Sequence, residues 1–400
     1  MNFEMVGKLS IPKASDKFSP YEDKVYDSGW QNKTLKFNVR AGDNSHLLQI
    51  KAGAWSDEKK RNASLIYVFT KGSVDDSGNK TKGETIQIPF KDRFTSKRLP
   101  EVAEFRKYVI DLEEPGRRFK LQTAANNIKE GNSVSDETLK ELGVESEDQI
   151  NDALETSLKK RHEYIHMWDF VDMVKKVVES DKYKDKKFLI KGNGEYQYSE
   201  QNDRIYDSLV PNRIYLAADD AEEYSIGNAV MYFGEDAVDD MSVEEKGKYY
   251  VSGYMLEYES KDRPNLPVPI TIVVPNDTSD EKASKRTKAI IKKFTTSGDT
   301  YKEYGVEFKM LNGAQRADIK LEDLDDDVRE DIECGLLTLE DVARDLGGST
   351  YGDRVTEWQF LKPGRGYTSG SKESVFTADD FVIKNADDVV EDLFDDEDEL

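Results

Sequence analysis

One stretch of the sequence has residue types and spacing that could hold a catalytic metal. His-Glu-Tyr-Ile-His occupies residues 162–166, and on a helix the pattern H-E-x-x-H places two imidazoles one turn apart, with the glutamate as base. Charged residues precede the stretch, and the only other histidine, His46, lies far upstream on a predicted strand. A zinc-dependent hydrolase using His162 and His166 is therefore a lesser alternative. The favoured interpretation is an exposed polar helix face, with no metal, no cofactor and no catalysis.

A second group of residues has the types that single-stranded nucleic acid requires. Bases stack on aromatic rings, and nearby cations contact the phosphates. Tyrosines and arginines recur between residues 196 and 215, and a thinner set of tryptophans and cations precedes them. The predicted DNA-binding residues are Trp30, Lys36, Arg40, Lys51, Trp55, Lys191, Tyr196, Tyr198, Arg204, Tyr206, Arg213 and Tyr215. Because tyrosine is also a good strand former, the same rings could instead be core residues.

The chain ends on an acidic segment. Nine of the sixteen residues 385–400 are acidic and none is basic. Such a polyanion can occupy a cationic groove until a nucleic acid that offers more phosphate contacts displaces it. Apolar side chains within the acidic frame would suit a partner with a basic rim and an apolar pocket. The predicted partner-binding residues are Asp392, Leu393, Phe394, Asp395 and Asp396. The alternative is a tail that only keeps the protein soluble.

The overall composition limits the class of protein. Four hundred residues predict two or three domains, and 37% hydrophobic with 10% aromatic residues is enough for a folded core. A net charge of −23 argues against a protein coated by basic patches, although it leaves room for a local basic groove. The single cysteine, Cys334, excludes an internal disulfide and favours a reducing intracellular setting. We find no stretch that predicts a membrane span or a signal peptide.

Alternating hydrophobicity predicts the strands that must position these residues. About five short strands are predicted in each of two stretches, which is the strand count of a small Greek-key barrel. Helical spacing lies between them, and Asn312-Gly313 predicts a hairpin turn further on. We expect an α+β, mainly β protein. Its parts are a first OB-like barrel (1–96), a helical insertion (97–182), a second OB-like barrel (183–278), a small α+β region (279–361), a linker (362–384) and a disordered acidic tail (385–400).

The pattern resembles a known family. The stretches VYDSGWQNKTLKFNVRAGDNSHLLQIKAGAW (25–55), YQYSEQNDRIYDSLVPNRIYL (196–216) and GGSTYGDRVTEW (347–358), with the acidic tail, resemble the OB-fold single-stranded DNA-binding proteins of bacteriophages. The resemblance implies a non-catalytic groove used in phage DNA replication or recombination. It also implies a tail that regulates binding and recruits replication proteins such as polymerase, helicase or primase, in the cytoplasm of a bacterial host. The alternative is a phage virion or assembly protein whose strands make protein contacts.

Overall fold

A computed structural model describes residues 1–74, 80–261, 263–296, 300–316, 324–338, 342 and 351–383. Its strands are β1 (Asn2–Ser10), β2 (Tyr21–Val25), β3 (Trp30–Ala41), β4 (Asn44–Trp55), β5 (Leu65–Phe69), β6 (Ser73–Val74), β7 (Lys80–Thr81), β8 (Thr85–Pro89), β9 (Tyr108–Asp111), β10 (Arg161–Tyr164), β11 (Lys187–Ser199), β12 (Arg204–Leu216), β13 (Tyr224–Phe233), β14 (Val238–Asp239), β15 (Lys248–Glu257), β16 (Leu266–Pro275), β17 (Lys302–Arg316), β18 (Tyr351–Pro363) and β19 (Lys372–Glu373).

The helices lie in the connections between these strands. They are α1 (Glu58–Ala63), α2 (Arg117–Lys129), α3 (Asp136–Leu142), α4 (Ile150–Lys159), α5 (Met167–Val178), α6 (Met241–Lys246), α7 (Glu281–Ile291) and α8 (Asp326–Glu333). The predicted class, α+β and mainly β, is therefore confirmed. Across the described ranges, each helix is too short or too polar to span a bilayer.

Five strands pair in a closed ring, which we call ring 1. β1 pairs antiparallel with β3, β3 with β4, β12 with β11, and β11 with β1. A parallel bridge between Leu48 of β4 and Leu209 of β12 closes the ring. Side chains of β3 alternate between the interior and the exterior of the ring, as the sequence pattern predicted. Leu35, Phe37 and Val39 are fully buried, and the residues between them are not.

A second closed ring, ring 2, follows in the chain. β13 pairs with β15 and with β17, β15 pairs with β16, and β17 pairs with β18, all antiparallel. β16 and β18 pair in parallel through Ile272 and Trp358. The core of ring 2 is aromatic, since the buried Phe294 that follows α7 lies 4.9 Å from the ring of Phe233 and 5.4 Å from that of Tyr304.

The strand pairing differs from the division of the chain that we expected at residues 96 and 183. β11 and β12, expected in the second barrel, complete ring 1. β17 and β18, expected in the small α+β region, complete ring 2. The expectation paired strands that are neighbours in sequence, which is the usual arrangement. Here residues 56–186 separate β4 from β11 and β12, the strands that complete the ring.

The long connection within ring 1 carries most of the helices. α2, α3 and α4 enclose a small core of their own around Leu121, Leu142 and Ile150. α5 instead packs on ring 1, where Phe170 and Val174 are fully buried. These helices lie within the range predicted for the helical insertion, while the β5–β8 pairing shows that the connection also contains strands.

The two rings contact each other at β1 with β13 and at β4 with β17. Asn312 donates its side-chain amide to the carbonyl of Ser45 at 2.8 Å. A Cβ on Gly313 would lie 2.0 Å from the carbonyl oxygen of Asp43, so glycine is needed for this close approach. β17 runs straight through both residues. The hairpin predicted at Asn312-Gly313 is therefore wrong, because the pair forms a contact between rings rather than a turn.

The range expected to be a linker, 362–384, packs against ring 2 over its described part. β19 pairs with β17, and Tyr367 and Phe381 are buried. Aromatic residues explain the difference, because burying the rings of Tyr367 and Phe381 against ring 2 is more favourable than leaving them in water. The predicted acidic tail, 385–400, lies outside the described residues.

Candidate nucleic-acid interface

A cleft of about 710 Å³ lies where ring 1 meets the loop between β15 and β16. We call it the inter-ring cleft. Its walls come from β4, from the hairpin of β11 and β12, from the start of α5 and from that loop. The residues that line it are Gln49, Lys51, Met167, Glu195, Tyr196, Gln197, Tyr198, Tyr206, Asp207, Ser208, Val210, Glu259, Ser260 and Arg263. Lys51, Tyr196, Tyr198 and Tyr206, four of the predicted DNA-binding residues, are therefore brought together.

The hairpin of β11 and β12 sets the direction of the three tyrosines. Tyr206 pairs with Gln197, whereas Tyr198 pairs with Ile205. Since successive side chains alternate between faces, Tyr196 and Tyr198 share one face and Tyr206 belongs to the other. At the tip, the hydroxyl of Tyr198 donates to Asp203 at 2.6 Å. The long hairpin thus presents aromatic rings on both of its faces at the mouth of the cleft.

The three rings differ in how available they are. Tyr196 packs against the core with its hydroxyl 3.7 Å from the sulfur of Met1, and burial raises its pKa. The guanidinium of Arg263 lies 5.0 Å from the centre of the Tyr198 ring. Tyr206 is 48% exposed. Tyr196 therefore supports the hairpin, while Tyr198 and Tyr206 are the rings on which a planar ligand could stack.

The outer face of β3 and β4 extends this surface. Lys36 is opposite Gln49, and Lys51 is opposite Thr34, so both lysines point away from the ring interior. Arg40 is exposed near the other end of β3. This face therefore carries three cations, of which Lys51 lines the cleft and Lys36 lies 3.8 Å from a carboxylate oxygen of Glu22.

Two tryptophans lie at one end of the same face. The rings of Trp30 and Trp55 are 5.4 Å apart and nearly perpendicular. A Cβ on Gly53 would lie 2.6 Å from the Trp30 ring, so the ring lies directly over that glycine. Lys60 lies 5.2 Å from the centre of the Trp55 ring. The arrangement combines an aromatic surface with a cation, Lys60, that was not among the predicted residues.

The remaining predicted residues lie outside the cleft. Arg204 adjoins it, with its guanidinium 5.5 Å from the Tyr206 ring. Lys191 instead forms an ion pair with Glu4 on β1. Arg213 donates to the carbonyl of Glu104 at 2.6 Å.

Tyr215 lines a different and more apolar cavity of about 470 Å³, together with Val6 and Leu189. The sequence could not show that Tyr215 lies apart from Tyr206, because residue types alternate in the same way at both ends of β12.

Charges of both signs face the inter-ring cleft. Arg263 forms ion pairs with Glu259 at 2.7 Å and with Glu200 at 2.9 Å. Burial raises the pKa of Glu195. A polyanion entering the cleft would therefore have to separate Arg263 from its carboxylates and would be repelled by Glu195 unless that group were protonated. Sequence reasoning missed Arg263 and Glu195, because neither stands in a recognisable motif.

The H-E-x-x-H stretch does not form the predicted helix. Residues 161–164 form β10, where Glu163 pairs with Lys107 at 2.8 Å. His166 caps α5 by accepting the backbone N–H of Trp168 at 3.1 Å. No group of three or more His, Cys, Asp or Glu in the described ranges could hold a metal ion. The zinc-dependent alternative therefore lacks the helix it requires.

Comparisons with known proteins give a distant similarity among solved structures. No protein-family model and no curated protein matches the sequence. Among solved structures, the chain matches the crystal structure of a deletion mutant of the single-stranded DNA binding protein from Thermus aquaticus. The match covers 78% of this chain and 86% of that chain, with 9% sequence identity and a TM-score of 0.26. At so low a TM-score the similarity carries no weight of its own for function.

Proposed function

We propose that the protein binds single-stranded DNA without catalysis, through the inter-ring cleft and the outer face of β3 and β4. The observation that carries the proposal is the convergence of the exposed Tyr206, the Tyr198 ring and Lys51 in one open cleft. Aromatic rings with neighbouring cations are what sequence-tolerant binding of a single strand needs. Trp30 and Trp55 would continue the stacking surface along the strand pair.

We propose further that both rings are OB-fold barrels. In each ring the first strand pairs with the second and the fourth, and the third lies parallel to the fifth. A helix, α5 or α7, lies in each connection between the third and fourth strands. OB-fold proteins bind oligonucleotides on the face of strands two and three and on the loops that join strands one to two and four to five. In ring 1 those elements are β3, β4 and the β11–β12 hairpin, which border the cleft.

The proposal includes the acidic tail. Residues 385–400 would compete with DNA for the cations, and Asp392, Leu393, Phe394, Asp395 and Asp396 would bind replication proteins once DNA has displaced the tail. The setting would be phage DNA replication or recombination in the cytoplasm of the bacterial host. The support for these steps is the charge complementarity between the acidic residues of 385–400 and the cations of the β3–β4 face.

Fluorescence anisotropy of labelled oligo-dT across a salt series tests the proposal. We expect the full-length protein to bind, and the logarithm of its affinity to fall linearly with the logarithm of salt concentration, because phosphate contacts release counterions. Replacing both Tyr198 and Tyr206 by alanine should weaken binding. Tyr67→Ala is the matched control, since Tyr67 is 64% exposed on β5 and does not line the cleft.

The absence of binding by the full-length protein at low salt would end the DNA-binding proposal. Self-assembly measured by light scattering would then favour a virion or assembly protein. Equal loss in the Tyr67→Ala control would place binding away from the inter-ring cleft.

A further inference from the structure

β15 and β16 hold the positions in ring 2 that β3 and β4 hold in ring 1. Their outward residues face each other in register, with Tyr254 opposite Pro269 and Ser252 opposite Thr271. The corresponding face of ring 1 includes the exposed Trp30, Leu47 and Lys51. In ring 2 the chain's own residues 372–381 lie against it, and we call them the cover segment.

The cover segment inserts one aromatic ring among three tyrosines. Phe381 is only 7% exposed, and its ring lies 5.0 Å from that of Tyr254 at an angle of 23°. Its ring centre is also 4.4 Å from that of Tyr301 and 5.6 Å from that of Tyr232. The near-parallel contact with Tyr254 is the offset stacking that planar π-systems adopt. Phe381 therefore occupies a place that would fit a nucleobase.

Apart from the ring contacts of Phe381 and that of Phe376 with Tyr232, few backbone hydrogen bonds of the described residues hold the cover segment on ring 2. β19 is two residues long, and the N–H of Ser374 donates to the carbonyl of Tyr301 at 2.9 Å. The N–H of Thr377 donates to the carboxylate of Asp380 at 2.7 Å, which is a contact within the segment itself. Val375 is 90% exposed. Local opening of a folded protein can cost far less free energy than global unfolding, so we expect the cover segment to leave while ring 2 stays folded.

An open space already adjoins the covered rings. A cleft of about 500 Å³ is lined by Ser252, Tyr254 and Thr271 of the strand pair and by Tyr301 and Ala378 beside Phe381. A ligand can therefore reach the edge of the Tyr254 ring before the cover segment moves.

We propose that the outer face of β15 and β16 is a second stacking surface for the bases of single-stranded DNA, and that the cover segment occupies it in the free protein. This inference rests on the proposed function. Phe381 and a base would compete for Tyr254 and Tyr301, since both stack on the same ring faces. β15 also leads directly into the loop that lines the inter-ring cleft, so one strand of DNA long enough to fill the cleft would continue along β15.

The second surface offers stacking with little positive charge. The ammonium group of Lys246, at the end of α6, lies 5.0 Å from the centre of the Tyr250 ring on β15. Glu235 and Asp236 line the adjoining cleft and oppose phosphate binding. Binding at this surface should therefore add affinity while adding at most one phosphate contact to the salt dependence.

Oligo-dT of increasing length, titrated against the full chain and its variants, tests the inference. We expect Phe381→Ala to bind long oligomers about tenfold more tightly than the wild type, from stacking on the uncovered tyrosines. Binding of oligomers short enough to fill only the inter-ring cleft should not change. The salt slope should change by less than about one unit. Adding Tyr254→Ala to Phe381→Ala should remove the gain.

Two further variants control for damage to the fold. Thr377→Ala loosens the cover segment while keeping every aromatic ring, and it should give a smaller gain of the same kind. Val375→Ala changes an exposed side chain of the same segment and should give none.

The outcomes separate this inference from the proposed function. If the wild type binds and neither Phe381→Ala nor Thr377→Ala binds long oligomers more tightly, the cover segment is a fixed part of ring 2 and the inference is wrong. If no protein binds any oligomer, the proposed function itself fails, and the inference fails with it.

Discussion

At the scale of single residues, three tyrosines of one hairpin have three different roles. Tyr196 is packed, Tyr198 is bonded to Asp203 and lies beside the guanidinium of Arg263, and Tyr206 is exposed. The sequence predicts their alternation along the strands, because a period of two follows from strand geometry. It cannot predict which ring is packed, since that depends on Met1 and on a loop of ring 2 that are distant in sequence.

Tyr206 gives the most direct test of base stacking. Tyr206→Ala should weaken oligo-dT binding by about 1–3 kcal/mol, the range for loss of one stacked base. Tyr206→Phe keeps the ring and loses only the hydroxyl that accepts from Asn202 at 3.2 Å, so it should bind like the wild type. Fluorescence titration at one fixed salt concentration measures both. Equal weakening by the two variants would mean that the hydroxyl, and not the ring, carries the effect.

Glu195 should make binding depend on pH. Burial raises its pKa, so protonation is easier than for an ordinary glutamate, and a bound polyanion favours protonation further. Affinity should therefore fall as the pH rises through the raised pKa of the free protein towards the still higher pKa of the complex. Protein stability should fall in a lower window, from the ordinary glutamate pKa through the raised one, because the folded state binds this proton more tightly than the unfolded chain.

Glu195→Gln removes the titrating group and is the matched comparison. It should flatten the pH dependence above the ordinary glutamate pKa and bind more tightly than the wild type at pH values above the raised pKa of Glu195. Anisotropy titrations at constant ionic strength report both effects. An unchanged pH profile would assign the dependence to a different group.

At the scale of elements, short strands were predictable and their partners were not. The alternation in residues 35–40 correctly predicts a strand within β3, and the apolar run at 46–55 lies within β4. Closure of ring 1 depends on β11 and β12, which follow a connection of residues 56–186. Local patterns carry no information about such pairing. For the same reason the Asn312-Gly313 pair predicted a turn, whereas its actual contact is with Asp43, Asn44 and Ser45.

Gly313→Ala tests the contact between the rings. Its methyl group would meet the carbonyl oxygen of Asp43, which is backbone and cannot rotate away. We expect a loss of about 1–3 kcal/mol in the free energy of unfolding, the usual cost of overpacking. Denaturant titration measures the loss. Ser45→Ala is the control, because Asn312 bonds to the carbonyl of Ser45 and the substitution keeps that carbonyl. No loss in Gly313→Ala would show that the rings separate easily.

At the scale of the whole molecule, the charge distribution matters more than the total. The protein carries −23, of which residues 385–400 contribute nine negative charges. The cations of the β3–β4 face therefore act within a molecule that repels DNA overall. Net charge affects the approach of a charged ligand, while the local face determines the contact.

Removing the tail should strengthen binding of oligo-dT at low salt. A variant that ends at Lys384 loses the competing polyanion, and the gain should shrink as salt rises, because the screening length falls from about 10 Å at 0.1 M to about 3 Å at 1 M. A full-length variant with the nine acidic residues changed to their amides is the matched control and should behave in the same way. A gain that appears only on truncation would indicate that the length of the tail, and not its charge, is responsible.

The long connection between the third and fourth strands of ring 1 has a consequence for biosynthesis. Asn2 of β1 pairs with Asn193 of β11, so the ring cannot close until the ribosome has passed the long connection. Translating residues 56–186, roughly 130 residues, takes roughly 7–26 s at about 5–20 residues per second. During that interval the nascent β1, β3 and β4 expose unpaired edges, which are sites of aggregation. The strands of ring 2 follow one another closely by comparison. We therefore expect ring 1 to be the part of the nascent chain that is most exposed to aggregation before it closes.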